Sequence, residues 1–132
     1  TVFASSALLQ QLSGKFPFML ENAPFLLPGE EFAIRPKLIH WLEANGLRPR
    51  IVGEFDDSAL MKAFGQAGAG LFVAPSAIAG HVCEQYKVKA LGRIESVSER
   101  LYAITAERRI THPAIVAISK GARENFFGAA KT

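Results

Sequence analysis

Three short apolar runs, separated by stretches with helical spacing, constrain the fold of this chain more than any other feature. They are residues 25–27, 50–55 and 71–74. The last run has no polar side chain, which is typical of a strand covered on both faces of a parallel sheet. Strands that alternate with helices predict an α/β fold with a doubly wound, mostly parallel sheet, and we expect these runs to be its central strands.

The stretch between the first two runs has the clearest helical periodicity. Apolar side chains recur at positions i, i+4, i+7 and i+8, namely Ile34, Leu38, Trp41 and Leu42. Gly46 follows them, and glycine readily takes the left-handed conformation that ends a helix. The pattern therefore predicts a helix that packs through this face and ends near residue 46.

A second helix is predicted directly after the run at 50–55. Asp57 or Ser58 stands where a short polar side chain caps a helix N-terminus. The side chains of Leu60, Met61 and Phe64 are expected to face inward from this helix.

Further elements are predicted on either side of these helices. In chain order they are a strand at 1–4, a helix at 6–12, a helix at 75–86, strands at 87–93 and 100–106, and a helix that begins at Thr111. The final helix would place Ile115, Ile118, Ala122 and Phe126 along one face.

Composition excludes several classes of protein. The 132 residues suit one domain or a fragment of a larger one. A single cysteine, Cys83, excludes an internal disulfide framework and fits a reducing compartment. The longest uncharged stretch, 63–83, contains glycines and a proline, which argues against a membrane span. Since no secretory leader opens the sequence, we expect a cytoplasmic protein.

No motif predicts catalysis, a cofactor or a metal. The glycines at 65, 68 and 70 precede a strand, whereas a phosphate-binding loop follows one. The histidines at 40, 81 and 112 fall on separate predicted helices without ligand spacing. Ser58 and Ser76 each begin a helix, but no histidine is placed to activate either hydroxyl. The net charge of +3, with only short basic pairs, does not predict direct DNA contact.

Polar side chains collect at the ends of the first two runs, where open α/β sheets bind ligands. These candidate effector-binding residues are Pro28, Gly29 and Glu30 at one turn, and Glu54, Phe55, Asp56, Asp57 and Ser58 at the other. The acids favour a cation or a hydrogen-bonding polar solute. The structural alternative is that Asp57 and Ser58 only cap a helix, whose dipole acids also complement.

A series of segments along the chain also matches a known pattern. They are 25–28, Arg35, 41–42 with Gly46 and Pro49, 54–61, 67–71, 74–75, and 102–109 with 112–113. Their order and spacing resemble the effector-binding domain of LysR-type transcriptional regulators, and the resemblance covers essentially the whole chain.

The resemblance implies an architecture like that of periplasmic binding proteins, with two α/β subdomains joined by two crossing strands. Residues 1–94 would be the second effector-binding subdomain. Residues 95–132 would be the returning crossing strand and the C-terminal helix of the first subdomain. The DNA-binding domain would be absent from this chain.

The resemblance also implies a function. The chain would be the effector-sensing and oligomerising part of a bacterial transcription activator, without catalysis or a cofactor. Its partners would be a small-molecule or ion effector, DNA through the missing helix-turn-helix, and further copies of itself, but no membrane. In the members that it most resembles the stimulus is sodium, so a response to sodium or pH stress is expected.

Three other functions stay open at this point. One is a small-solute-binding protein of the periplasmic type, and another is a small α/β hydrolase or transferase. The third is an interaction module that binds no ligand. A helix-turn-helix upstream in the intact gene would favour the regulator over all three.

Overall fold

The computed structural model of the chain describes residues 1–98, which form five strands, four α-helices and two short 3₁₀ helices. The strands are β1 Val2–Ser5, β2 Pro24–Pro28, β3 Arg50–Phe55, β4 Phe72–Val73 and β5 Val88–Gly92. The helices are α1 Ser6–Leu9, α2 Ile34–Ala44, α3 Ser58–Gln66 and α4 Ala79–Tyr86, and the 3₁₀ helices are Phe18–Leu20 and Ser76–Ile78. The predicted strand at 100–106 and the predicted helix from Thr111 lie outside the described residues.

The strands build a three-stranded sheet in the order β4-β1-β5 and a two-stranded sheet of β2 and β3. β2 pairs with β3 in parallel, while β1 pairs antiparallel with both β4 and β5. A parallel bridge between Phe25 and Leu71 joins the two parts, with the Leu26 N–H donating to the Leu71 carbonyl oxygen at 2.7 Å. The three apolar runs are therefore parallel to one another, as predicted, and the α/β fold is confirmed. The antiparallel strands come from the two ends of the described part.

Side chains on the two faces of this sheet enter two separate apolar clusters, which gives three layers. Phe25, Leu27 and Leu71 point into the first cluster, together with Leu38 and Leu42 of α2. The second cluster lies under α3 and α4, and its buried members are Phe3, Leu26, Met61, Phe72, Ala74, Val82 and Val88. Because successive strand residues alternate between faces, Phe25 and Leu26 serve different clusters.

Helix α2 follows the prediction closely. It covers Ile34–Ala44 and buries Leu38 and Leu42 against the sheet. Gly46 then takes a φ of 66°, the left-handed conformation that costs glycine no Cβ clash. The Leu47 N–H donates back to the Leu42 carbonyl oxygen at 2.9 Å, so one of the last carbonyls of the helix is satisfied.

Helix α3 differs from the prediction in the side that it buries. Met61 and Gly65, four residues apart, face the sheet, and the glycine lies so close to Phe72 that a Cβ would collide with its ring. Leu60 and Phe64 were expected to face inward, but they are 50% and 47% exposed. That expectation was wrong for both side chains. Helix α3 contacts the sheet along one line of residues at positions i and i+4, and neither Leu60 nor Phe64 lies on that line.

Two strands also differ from the prediction. β3 pairs only with β2 among the described residues, and both Ile51 and Val52 are exposed, so this run is an edge strand and not a central one. β4 contains only Phe72–Val73, although the neighbouring Leu71 is completely buried. The buried part of this run therefore extends beyond β4 itself, to Leu71 and its bridge to Phe25.

Candidate ligand-binding cleft

A cleft of about 490 Å³ opens at the carboxyl ends of β2, β3 and β4. Pro28 and Phe55 are the last residues of their strands and line it, as do Val73 and Ala74 at the end of β4. Residues after β5, including Ile94, close a further side. The carboxyl ends of strands are where ligands bind in open α/β sheets, and the volume is that of an ordinary small-molecule site.

Most of the cleft wall is apolar. Phe32, Ile34 and Leu38 contribute one part of it, from α2 and the turn before it. Met61 on α3 and Ile78 after β4 contribute another part. Such a surface suits the carbon skeleton of an organic ligand, because burying it removes apolar area from water.

Hydroxyl groups from two distant parts of the sequence meet at the cleft. The Thr1 Oγ1 and Ser76 Oγ atoms are 2.6 Å apart, and the Thr1 amino group donates to the Ala74 carbonyl oxygen at 3.0 Å. Ser58, the first residue of α3, supplies a third hydroxyl. The hydroxyls can donate to or accept from a ligand.

The charged side chains at the cleft are mostly basic. Lys62 and Arg93 line it, together with one acid, Glu95. The Arg93 Nε and Glu95 Oε2 atoms are 3.5 Å apart and both side chains are largely exposed, so this ion pair is weak. The Lys62 ammonium lies 6.0 Å from the centre of the Tyr86 ring, at the limit of a cation–π contact.

Three of the eight residues predicted to bind an effector line the cleft. They are Pro28, Phe55 and Ser58. The other five, Gly29, Glu30, Glu54, Asp56 and Asp57, belong to the same two turns but are not among the cleft-lining residues. Both predicted turns thus lie at the edge of the sheet where the cleft opens, but none of their acids lines it, and effector binding by these residues stays a prediction.

Glu54 is held by an arginine from α2. The Arg35 Nη2 donates to the Glu54 Oε1 at 2.9 Å, and its Nη1 donates to the Pro28 carbonyl oxygen at 3.0 Å. The arginine side chain is only 17% exposed. One guanidinium therefore ties together the carboxyl ends of β2 and β3, and the Glu54 carboxylate is already paired with a cation.

Asp56 and Asp57 also contact neighbouring parts of the fold. The Asp57 Oδ1 accepts hydrogen bonds from the N–H groups of Ala59, at 2.8 Å, and Leu60, at 3.3 Å, which is an N-cap of α3. The capping alternative is therefore the observed one for Asp57. The Asp56 carboxylate lies against Gly29, where any Cβ would collide with it.

Ser76 is the most prominent cleft residue that the prediction did not include. It follows the apolar run at 71–74 and begins a 3₁₀ helix that continues into α4. The rule that selected the other two turns, a strand end followed by a helix, also applies to this third turn. The prediction passed over it because a proline and a serine carry no charge.

Neither a metal centre nor a membrane-spanning helix is found within residues 1–98. No group of three or more His, Cys, Asp or Glu side chains in this part is arranged to hold a metal ion. None of its helices is both long enough and apolar enough to cross a bilayer.

Comparison with known proteins defines the class first. The LysR substrate binding domain family matches residues 2–126, so the chain belongs to this family. Members of this family are ligand-binding modules of regulators and not, in general, enzymes.

Two curated relatives are each 45% identical to the chain over 100 residues, which is 76% of this chain and 33% of the relative. They are the transcriptional activator protein NhaR of Escherichia coli strain K12 and the transcriptional activator protein NhaR of Shigella flexneri. The match thus spans about a third of the length of these relatives. No solved structure matches the chain.

Proposed function

We propose that this chain is the effector-sensing and oligomerising part of a bacterial LysR-type transcription activator that responds to sodium or pH stress. One observation carries the proposal: a chain that matches the LysR substrate binding domain family over residues 2–126 has an open cleft at the carboxyl ends of three parallel strands. The two relatives are both transcriptional activators, which supports the same direction of regulation.

In this proposal the cleft is the site at which the regulator binds its effector. A ligand that contacts Pro28, Phe55 and Ser58 would favour one arrangement of the protein over another, because a ligand shifts a conformational equilibrium only by its differential affinity. Gly29, Glu30, Glu54, Asp56 and Asp57 would shape the turns that present those contacts. No histidine is among the described cleft-lining residues, so these residues form no serine–histidine pair of the hydrolase type.

The proposal also divides the chain by role. Residues 1–94 would be the second effector-binding subdomain, and 95–132 would return to the first subdomain. DNA would be contacted only through a separate helix-turn-helix part of the intact protein, which would act in the cytoplasm. We accordingly expect no sequence-selective DNA binding by this chain at physiological salt, and nanomolar selective binding in fluorescence anisotropy would contradict this division.

The edge of the sheet supports self-association. Ile51 and Val52 on β3 are 44% and 47% exposed, and this strand has a partner on only one side within residues 1–98. An exposed apolar edge is usually covered in the assembled state. We propose a homo-oligomer, which sedimentation equilibrium of the intact protein over a range of concentrations tests directly; a strictly monomeric protein would contradict it.

A transcript experiment tests the regulatory role. The gene is deleted, then restored either in its natural form or as Ala77→Trp, which places an indole in the cleft that Ala77 lines. We expect the deletion to change a small set of transcripts under sodium or alkaline stress. The natural gene should restore that set, while the variant should not.

The control for that experiment is Ala44→Trp, on the exposed end of α2 and outside the cleft. It should restore the transcripts like the natural gene. A deletion that changes no transcript, or an Ala77→Trp variant that restores them fully, would contradict the proposed function.

A further inference from the structure

The charged groups of the cleft indicate the class of its ligand. Two cations, Lys62 and Arg93, line the cleft within residues 1–98, against one acid, Glu95. The hydroxyls of Ser58 and Ser76 supply neutral hydrogen-bonding groups. The described wall therefore has more positive than negative charge, and its neutral polar groups can donate to an anion.

Two acids of the turns beside the cleft already have partners. Glu54 pairs with Arg35 at 2.9 Å, and the Asp57 carboxylate caps α3. A hard cation such as sodium needs several oxygen ligands that converge on one point. Among residues 1–98 no cluster of acidic, histidine or cysteine side chains provides such a point.

The shape and lining of the cleft indicate the rest of the ligand. A volume of about 490 Å³ is far larger than an ion requires and matches an organic molecule. Its wall includes Phe32, Leu38 and Phe55, which would cover an apolar skeleton. The ligand would then need a charged group only where it meets the cations and hydroxyls of the cleft.

We propose that the cleft binds an organic anion with an apolar body, whose charge is balanced by Lys62 and Arg93. This inference rests on the proposed ligand-sensing function and gives the class of molecule that is sensed. A sodium or pH stimulus would then act on this cleft through the level or binding of such an anion, and not through a bare sodium ion bound there.

Three matched probes separate the charge classes: phenylacetate, the neutral phenylacetamide and the cationic phenethylamine. The full chain, labelled with a nitrogen isotope, is titrated with each while amide chemical shifts are followed by NMR. We expect saturable shifts at the amides of Ser58, Lys62, Ser76 and Arg93 with phenylacetate. Phenylacetamide should bind more weakly and phenethylamine should produce no saturable shift at these positions.

Substitutions of the two basic residues then test whether their side chains balance the charge of the anion. Lys62→Gln and Arg93→Gln should each weaken phenylacetate binding by about fivefold, the change expected on losing one partly screened charge partner. Lys89→Gln is the matched control, because Lys89 is exposed on β5 and lies outside the cleft. Its affinity should be unchanged. Arg93 is largely exposed, so Arg93→Gln should fold normally. It can therefore test the charge preference even if Lys62→Gln perturbs folding.

Several results would overturn the inference. Phenethylamine or phenylacetamide binding as tightly as phenylacetate would remove the charge preference but leave the cleft a ligand site, so the proposed function would stand. Full affinity in both glutamine variants, sodium-specific shifts of the cleft amides relative to potassium at equal ionic strength, or no saturable shift with any probe would each overturn it. The transcript experiment decides the proposed function independently of these outcomes.

Discussion

The turn after β3 and the turn after β4 occupy equivalent places in the fold, since each joins the carboxyl end of a strand to a helix at the same edge of the sheet. Their polar side chains nevertheless have different roles. After β3, Asp57 caps α3 and the Glu54 carboxylate is paired with Arg35. After β4, the Ser76 hydroxyl lines the cleft, and its hydrogen bonds within residues 1–98 are to the Thr1 hydroxyl and amino group.

The difference teaches that charge at a strand end does not by itself mark a ligand contact. Although Glu54 and Asp57 are both exposed, the fold supplies a partner for each carboxylate, from the backbone of α3 for Asp57 and from Arg35 of α2 for Glu54. A hydroxyl can be satisfied by another hydroxyl and still reach a ligand. Within these two turns, the polar residues that line the cleft, Ser58 and Ser76, are uncharged.

The largest expected effect on stability comes from a substitution that disrupts the sheet on which both turns depend. Leu71 is completely buried and lies beside Phe25 where the two parts of the sheet join. Leu71→Asp should lower the free energy of unfolding by about 4 kcal/mol or more, because it buries an unpaired carboxylate. Urea unfolding of the chain measures this.

Leu60→Asp is the matched control for that prediction. Leu60 is half exposed on α3, so its new carboxylate would remain in water and the cost should stay below about 1 kcal/mol. Equal losses in the two variants would mean that Leu71 is not buried in solution.

The contrast between these two leucines also shows what the sequence could predict about the fold. The uninterrupted apolar run at 71–74 and the periodicity around Leu38 gave a buried strand and α2 correctly, because both signals are local. Leu60 and Phe64 are as apolar as Met61, and only the line along which α3 meets the sheet decides which is buried. Whether β3 lies at the edge of a sheet likewise depends on which strands pair with it, and not on its own sequence.

The candidate site could be predicted to a similar extent. Strand ends and helix starts are local signals, and the two turns that they selected lie where the cleft opens, with Pro28, Phe55 and Ser58 in its wall. Whether an acid faces the cleft depends on distant partners. Arg35 reaches Glu54 across nineteen residues of sequence, and no local pattern predicts that contact.

The next largest effect concerns the arginine that ties β2 to β3. Arg35→Met keeps the aliphatic stem but leaves the Pro28 carbonyl and the Glu54 carboxylate without this donor. We expect the free energy of unfolding to fall by about 1–2 kcal/mol, since the guanidinium is mostly buried while Glu54 is half exposed. Arg93→Met breaks an exposed pair and should cost about 0.5 kcal/mol or less. If the two losses are equal, the Arg35 contacts do not hold the strand ends.

A smaller effect separates capping from ligand binding at the turn after β3. Asp57→Ala should cost about 1 kcal/mol, while Asp57→Asn should cost little, because asparagine caps a helix about as well as aspartate. Both variants should keep the stress response of the intact protein. Thermal unfolding and the transcript measurement test this, and a response lost in Asp57→Asn at normal stability would show that the carboxylate contacts the ligand.

The smallest effect on stability should accompany the largest effect on the response. Ser76→Ala removes a half-buried hydroxyl whose hydrogen-bond partners, the Thr1 hydroxyl and amino group, retain access to the open cleft and hence to water. Ser58→Ala removes a side chain that makes no cap, since Asp57 already accepts the first N–H groups of α3. We expect both variants to stay within about 1 kcal/mol of the natural protein in thermal unfolding, yet to reduce the transcript response. Glu84→Ala, at an exposed side chain on α4 outside the cleft wall, is the comparison variant and should change neither quantity. If the two serine variants lose stability and respond normally, their hydroxyls only support the helix starts, and the two strand-end turns do not differ in the way proposed here.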